Sequence, residues 1–410
     1  MFHRSVNARH RVAPLAGCAG RTIFHLDDER GFRGGERQLL YLAAASRDQG
    51  HENVVCCRAG SALEQEARRL GFEVLVLPFA FEFDVVSAYR LAAATKRRHR
   101  PLVHAHTGHT VSIAVVCRLF GGPPVVAQRR GASPLPGGFR RWLKYDRVAS
   151  VVAVSRAIEK ILLRDGLPER RIVVVPDCIP VSPEEWRTAG QANPRFAPAG
   201  ADRREAARRA LATAHGADPA ASWVGNLAAL VPLKEHATLI AAAAEVIRRR
   251  PDTVFLIAGE GPERERLQAD IHRRALAGRV ILLGFVDAAE LFAAIDVFAL
   301  SSSREGMGSV LLEAASCGVP VAATAVGGIP DVVRDGRTGL LVPPRDPVAL
   351  GHAIIRLLDE PALAARLAAE ARGALAQFSL AETVRRMEAV YAAVAAPQAA
   401  STLSRGENSA

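Results

Sequence analysis

Short apolar runs, each followed by a loop and an amphipathic helical stretch, recur along this chain, and that alternation restricts the fold more than any single motif. In the first half they lie at 22–26, 53–57, 74–77, 102–106, 125–128, 151–154 and 172–175. In the second half they lie at 222–227, 254–258, 280–283, 297–300, 321–324 and 340–342. Rich in Val, Ile and Leu, they read as strands buried on both faces. Repeated strand–helix units predict parallel sheets covered by helices, with ligands bound beyond the carboxyl ends of the strands. The pattern dissolves after Pro180 into Pro, Gly, Ala and Arg, as in S-P-E-E-W and A-N-P-R-F-A-P-A-G. At 410 residues the chain is too long for one compact core. The expected organisation is α/β, with two Rossmann-like, doubly wound domains facing a cleft. Residues 21–180 and 220–392 form the domains and 181–219 the linker region; 1–20 is a loose extension and 393–410 a loose tail.

The most informative stretch runs from Ser301 to Pro320, S-S-S-R-E-G-M-G-S-V-L-L-E-A-A-S-C-G-V-P. It follows the apolar run 297–300 and passes through a Ser- and Gly-rich loop into a short helix starting near Ser309. Glu305 precedes the junction and Glu313 lies about one turn inside the helix, which sets their carboxylates roughly 10–15 Å apart. Between them Gly306 and Gly308 permit close backbone approach to a ligand. The free N–H groups of Ser309, Val310 and Leu311 would favour an anion. A molecule with a diphosphate between two hydroxyl-bearing ends could be gripped at three points, since carboxylates accept hydroxyl protons. A core helix with two solvated glutamates is the plainer reading of an arbitrary E-x7-E. The intervening G-x-G and the strand–loop–helix context argue against it.

This segment resembles the E-x7-E signature of retaining glycosyltransferases of the GT-B fold, specifically glycosyltransferase family 4. Leu283-Gly284-Phe285, A-G-E-G-P at 258–262, Gly327-Gly328-Ile329-Pro330 and T-G-L-L-V-P at 338–343 follow in that family's order. The similarity covers roughly residues 22 to 392. It implies a nucleotide-diphosphate sugar as donor, UDP- or GDP-linked, with no cofactor and no metal. Donor-side residues would be Gly34, Gly35, Asn226, Gly284, Gly306, Met307, Gly308, Ser309, Val310 and Glu313, with Lys234 and Glu305 catalytic. Gly34-Gly35-Glu36-Arg37 resembles the family's G-G-x-E-R loop, which faces the donor across the cleft. An ordinary strand–helix turn would look the same.

Lys234 stands just before a helix, after the first strand of the second half, where a lysine can reach a diphosphate as a point charge. The family pairs it with an arginine where this chain has Asn226. In the first half, His104 and His106 alternate along a strand and share one face. No Asp, Glu or Cys nearby completes a metal set, so His106 reads as polar lining of the acceptor side and His104 as a structural hydrogen-bonding group. Many family members carry a histidine where this chain has Arg130, which suggests an acidic or phosphorylated acceptor. The segment 137–147, G-G-F-R-R-W-L-K-Y-D-R, could rest on an anionic bilayer or bury its aromatics as core.

The net charge of +11 calls for an anionic partner. Nucleic acid is disfavoured because aromatics are scarce and no recognition motif is present. The six cysteines show no C-x2-C spacing, which fits a reducing compartment. No apolar run is long enough to span a membrane, and the Arg-rich first residues lack a signal-peptide core. A dinucleotide site at Gly259-x-Gly261 fails, because its sixth position is Arg264. The expected activity is retaining transfer of a sugar to a hydroxyl of a glycan, glycolipid or lipid-linked acceptor in cell-envelope polysaccharide or lipopolysaccharide synthesis. The setting would be cytoplasmic, with peripheral membrane contact. The rival readings are a GT-B-like sugar-nucleotide epimerase or hydrolase and a basic nucleic-acid-binding protein.

Overall fold

The computed structural model describes residues 20–192 and 194–395. The extension and the tail expected from the sequence lie outside them apart from Gly20 and residues 393–395. The first half supplies β1 (Thr22–Leu26), β2 (Glu52–Cys57), β3 (Glu73–Val76), β4 (Leu102–Ala105), β5 (Val125–Arg129), β6 (Ser150–Ala153) and β7 (Ile172–Val174). They form a seven-stranded sheet in the order β3-β2-β1-β4-β5-β6-β7. The second half supplies β8 (Ser222–Leu227), β9 (Thr253–Ala258), β10 (Val280–Gly284), β11 (Val297–Leu300), β12 (Val321–Thr324) and β13 (Leu340–Val342). These form a six-stranded sheet in the order β10-β9-β8-β11-β12-β13. Pairing between these strands is parallel throughout. The protein is thus two parallel-sheet, Rossmann-like α/β units.

Each sheet reverses its winding once, between β1 and β4 in the first and between β8 and β11 in the second. Such switch points leave a crevice at the carboxyl ends of the strands, because the two connecting loops diverge to opposite faces. The first crevice is flanked by the loops leading to Gly34 and His106. The second is flanked by the loops carrying Lys234 and Glu305.

The connecting region is more ordered than its composition suggests. Pro183–Thr188 and Ala201–His215 are helices, and Trp186 in the first and Phe196 between the two are buried. Their rings continue through Phe292 to Phe298, tying the crossing to the second half. The chain then crosses back. Helix Leu380–Ala395, expected with the second half, packs on the first sheet. Its Leu380, Val384, Met387 and Tyr391 share a core with Ile23, Leu102, Val126 and Val152. The Tyr391 hydroxyl lies 2.9 Å from His104 Nδ1, and His51 Nε2 lies 2.9 Å from Glu388. An amphipathic sequence fixes which helix face is buried but not which sheet buries it.

Tyr391 has no solvent exposure. Tyr391→Ala should therefore cost about 3–5 kcal/mol, as for other large aromatic truncations. Calorimetry should show this as a lowered transition of the first half, and an unchanged melting profile would contradict the assigned packing.

Candidate active site between the two halves

The loop after β11 is built to meet both halves at once. Ser301 Oγ donates to the Lys234 carbonyl (2.9 Å) and the Ser303 N–H to the Leu233 carbonyl (2.9 Å), so the serine run anchors the turn that carries the lysine. At Gly306 an added Cβ would lie 1.9 Å from the Arg130 carbonyl oxygen of the first half. Ser155 Oγ, from the loop after β6, donates to the Gly306 carbonyl at 2.7 Å. Gly327, at φ +52°, passes so near Glu305 that a Cβ would come within 1.8 Å of the Glu305 carbonyl. The glycines at 306 and 327 are therefore required by backbone contact, independently of any ligand. Met307 is buried, and its Sδ accepts from the Asp177 N–H (3.1 Å). Gly34 of the first half comes up against Ser309, whose Oγ would lie 3.0 Å from a Cβ added there.

Lys234 and Glu305 meet. The ammonium donates to both carboxylate oxygens, at 2.9 and 2.7 Å, with both side chains mostly buried. An ammonium has three donors, so one remains for an anion in the cleft. The helix following Ser309 is short, Val310–Ser316. The Leu311 N–H already donates to the Gly308 carbonyl (2.9 Å), which leaves Ser309 and Val310 as the amides to consider at this helix start.

Two expected donor contacts are engaged within the protein. Glu313 is buried, and its Oε1 pairs with Arg37 on the opposite helix Gly34–Asp48. Burial pushes the Glu313 carboxyl up, and Arg37 opposes that shift. Asn226 is also buried. Its Nδ2 donates to the Ala299 carbonyl (2.8 Å) and its Oδ1 lies 3.1 Å from His236 Nε2, so it braces β8 against β11. Gly284, at φ +76°, turns the chain after β10 beside Glu260.

On the first half His106 is buried, with Nε2 3.1 Å from His25 Nδ1 and Nδ1 3.4 Å from Arg130. Arg130 also pairs with Asp177 (3.2 Å), so its charge is shared. His25 was missed as a partner of the two histidines; register explains it, because β1 and β4 place His25 beside His104. The three imidazoles bring ligand-type atoms within 4.8 Å of one another. Their nitrogens are hydrogen-bonded, however. His25 Nε2 meets Asn53 (2.9 Å), and His104 meets Tyr391 and Gln128. Burial pushes all three imidazoles down, so they are neutral at pH 7. The cluster is a polar brace behind the cleft.

Two family descriptions match the chain: Glycosyltransferase Family 4 over residues 32–182 and Glycosyl transferases group 1 over residues 218–360. The chain belongs to glycosyltransferase family 4. Among similar proteins of this family is the alpha-D-kanosaminyltransferase of Streptomyces kanamyceticus, 29% identical over 369 residues, 82% of this chain and 90% of that one. The D-inositol 3-phosphate glycosyltransferase of Salinispora arenicola is 36% identical over 210 residues, 48% of this chain and 46% of that one. A Mycolicibacterium smegmatis GDP-mannose-dependent phosphatidylinositol monomannoside mannosyltransferase is 40% identical over 156 residues, 36% of this chain and 41% of that one. The chain thus spans most of the first relative and less than half of the other two. Anabaena HepE, solved with UDP and glucose, superposes with TM-score 0.77 at 21% identity, covering 91% of this chain and 99% of that one. A glycosyltransferase from Rickettsia africae gives 0.79 at 19% identity, covering 92% and 99%. These structures share the GT-B fold with this glycosyltransferase.

Asp27, at the end of β1, was not anticipated. It is buried, and burial pushes its carboxyl from the ordinary 3.8 up to about 7, with Glu36 adding to the rise and the Glu29 N–H opposing it. A carboxyl harder to ionise in the folded state removes stability as pH climbs through that window, and no more above it. Asp27→Asn should therefore gain stability over wild type between about pH 4 and 7 and hold a constant difference beyond. Denaturant midpoints measured across pH test this; a difference independent of pH would contradict it.

Proposed function

We propose that this glycosyltransferase moves a hexosyl group, with retention and without a bound metal, from a UDP- or GDP-linked sugar to an acceptor hydroxyl. The observation that carries the reading is the Lys234 ammonium, held by both oxygens of Glu305 at one switch point, on a loop whose Ser309 meets Gly34 from the other half. A donor lying there would place its diphosphate against the third Lys234 proton and the amides of Ser309 and Val310. Charge grows on the departing diphosphate as the glycosidic bond breaks, and donors already aimed at that charge lower the barrier without reorganising. Glu305 would orient sugar hydroxyls while holding the lysine. Glu313 keeps Oε2 for a ribose hydroxyl, with Arg37 on Oε1. The acceptor would enter from the side of His106 and Arg130 and attack on the leaving-group face. Closure of the halves would exclude water and limit hydrolysis.

The acceptor class that suits this reading is a glycan, glycolipid or lipid-linked hydroxyl of the cell envelope. The relatives whose names include phosphatidylinositol monomannoside and inositol 3-phosphate lend it support. No described helix is long and apolar enough to cross a membrane, so contact with lipid would be peripheral. Phe139 and Trp142 stack on each other in the open, with Arg147 over Trp142, whereas Tyr145 in the same segment is core. Phe139→Ser with Trp142→Ser should reduce flotation with anionic vesicles. Equal flotation of the variant would remove the membrane reading.

Lys234→Ala should lower turnover by roughly 10²–10³-fold, the loss expected from deleting one preorganised charge donor, while the protein stays folded, with a lowered melting temperature because Glu305 loses its partner. Near-normal turnover would contradict the assignment. Calorimetry with UDP, GDP and an oligonucleotide separates the rivals: nucleotide binding supports a donor site, whereas oligonucleotide binding alone favours the nucleic-acid reading. Donor converted without acceptor would favour an epimerase or hydrolase.

A further inference from the structure

A cavity of about 330 Å³ opens on the first half at the carboxyl ends of β2 and β3, its walls including Arg30, Arg58, Arg90, Val76, Leu77 and Pro78. That size is within the range of small-ligand sites, and none of its side chains takes part in the donor cleft described above. Arg58 is fixed: its Nε donates to the Asp28 carbonyl (2.7 Å) and its Nη1 to the Pro78 carbonyl (3.0 Å). Its Nη2 lies 3.5 Å from the Asp28 carboxylate, which His109 and Thr107 also hold. Arg30 and Arg90 have no carboxylate or hydrogen-bond partner among the described residues. Three guanidinium charges against the one Asp28 carboxylate leave a net of two positive charges, and no acidic residue lines the cavity. A phosphate monoester carries about −1.5 to −2 at pH 7 and offers oxygens that guanidinium forks match.

We propose that this cavity binds the phosphate monoester of the acceptor substrate, an inference that rests on the reading of the chain as a donor-to-acceptor transferase. Arg30 is on the same loop as Gly34, so the cavity is within a reach of roughly 14 Å of the glycine turn by chain length. A phosphate anchored there leaves the acceptor's hydroxyl to extend into the cleft. Arg130 is less available for this task, because Asp177 and His106 already engage it. The arginine cavity thereby sets acceptor specificity, and the donor loop sets the chemistry.

The phosphate could belong to a soluble sugar or polyol phosphate or to a lipid headgroup, and two probes distinguish them. Calorimetry with sn-glycerol 3-phosphate, and with glycerol as control, is run on wild type and on an Arg30→Ala, Arg90→Ala double variant. UDP or GDP, whichever binds, is held at saturation so that the donor site is filled. Flotation with phosphatidic acid vesicles, against neutral phosphatidylcholine, is run on the same pair. The proposal expects wild type to bind the phosphate and not the control, in soluble or vesicle form, and the double variant to lose at least about tenfold in affinity, equivalent to about 1.4 kcal/mol. It expects nucleotide affinity to be unchanged in the variant. Loss in the soluble arm assigns a soluble acceptor, and loss in the vesicle arm alone assigns a lipid headgroup. No phosphate-dependent binding by wild type in either arm, or equal binding by the variant, overturns the proposal. Absence of nucleotide binding by wild type would instead overturn the donor-site reading, and the phosphate probes then report on the cavity alone.

Discussion

At Gly306 two polypeptide backbones from opposite halves of the molecule come as close as backbones can. The Arg130 carbonyl occupies the space a side chain would need, Ser155 holds the Gly306 carbonyl, and Gly327 passes just as tightly against Glu305. Contacts of this kind tolerate no Cβ and little displacement, so they fix the loop after β11 against the first half. Everything chemical at the site hangs from that loop. Glu305 leads into it, Lys234 is tied to its serines, and Ser309 closes it opposite Gly34.

Electrostatics follows the same geometry. Ionisable groups around the cleft are buried or partly buried and are held in pairs that cross between elements: Lys234 with Glu305, Glu313 with Arg37, Arg130 with Asp177. Burial alone would penalise each charge, and a partner with good geometry offsets that penalty. Asp27 has no ion-pair partner among the described residues, and burial pushes its carboxyl up to about 7. A polyanion entering this cleft would meet cations whose present partners are carboxylates, so binding exchanges one set of charge pairs for another.

Much of this was legible in the sequence, and the remainder fails for a common reason. The strands could be read because each is a short apolar run between loops, and the strand–loop–helix course of the E-x7-E segment because its residues are neighbours in the chain. The place of Lys234 just ahead of a helix could be read because that signal is local. The partners could not. Arg37 and Glu313 are 276 residues apart, and His25 joins His104 and His106 only through sheet register. Asn226 reads as a donor-side residue because it stands where the family has an arginine, and in the structure its amide meets Ala299 and His236. The last helix shows in its sequence that one face is apolar, and nothing in that sequence tells which sheet covers it. Ser155 stands in no motif, and neither its hydrogen bond to Gly306 nor the close approach of Gly327 to Glu305 can be read from neighbouring residues.

The central claim is that a nucleotide diphosphate lies in the gap between the two glycine-bearing loops, with its phosphates against Lys234 and the Ser309 and Val310 amides. A crystal structure of the full chain grown with UDP-glucose or GDP-mannose measures this directly. The account predicts phosphate density within hydrogen-bonding distance of Lys234 Nζ and the Ser309 amide, with the sugar beside Glu305. Nucleotide density elsewhere, or an ordered nucleotide in the cleft with its phosphates turned away from Lys234, would contradict it.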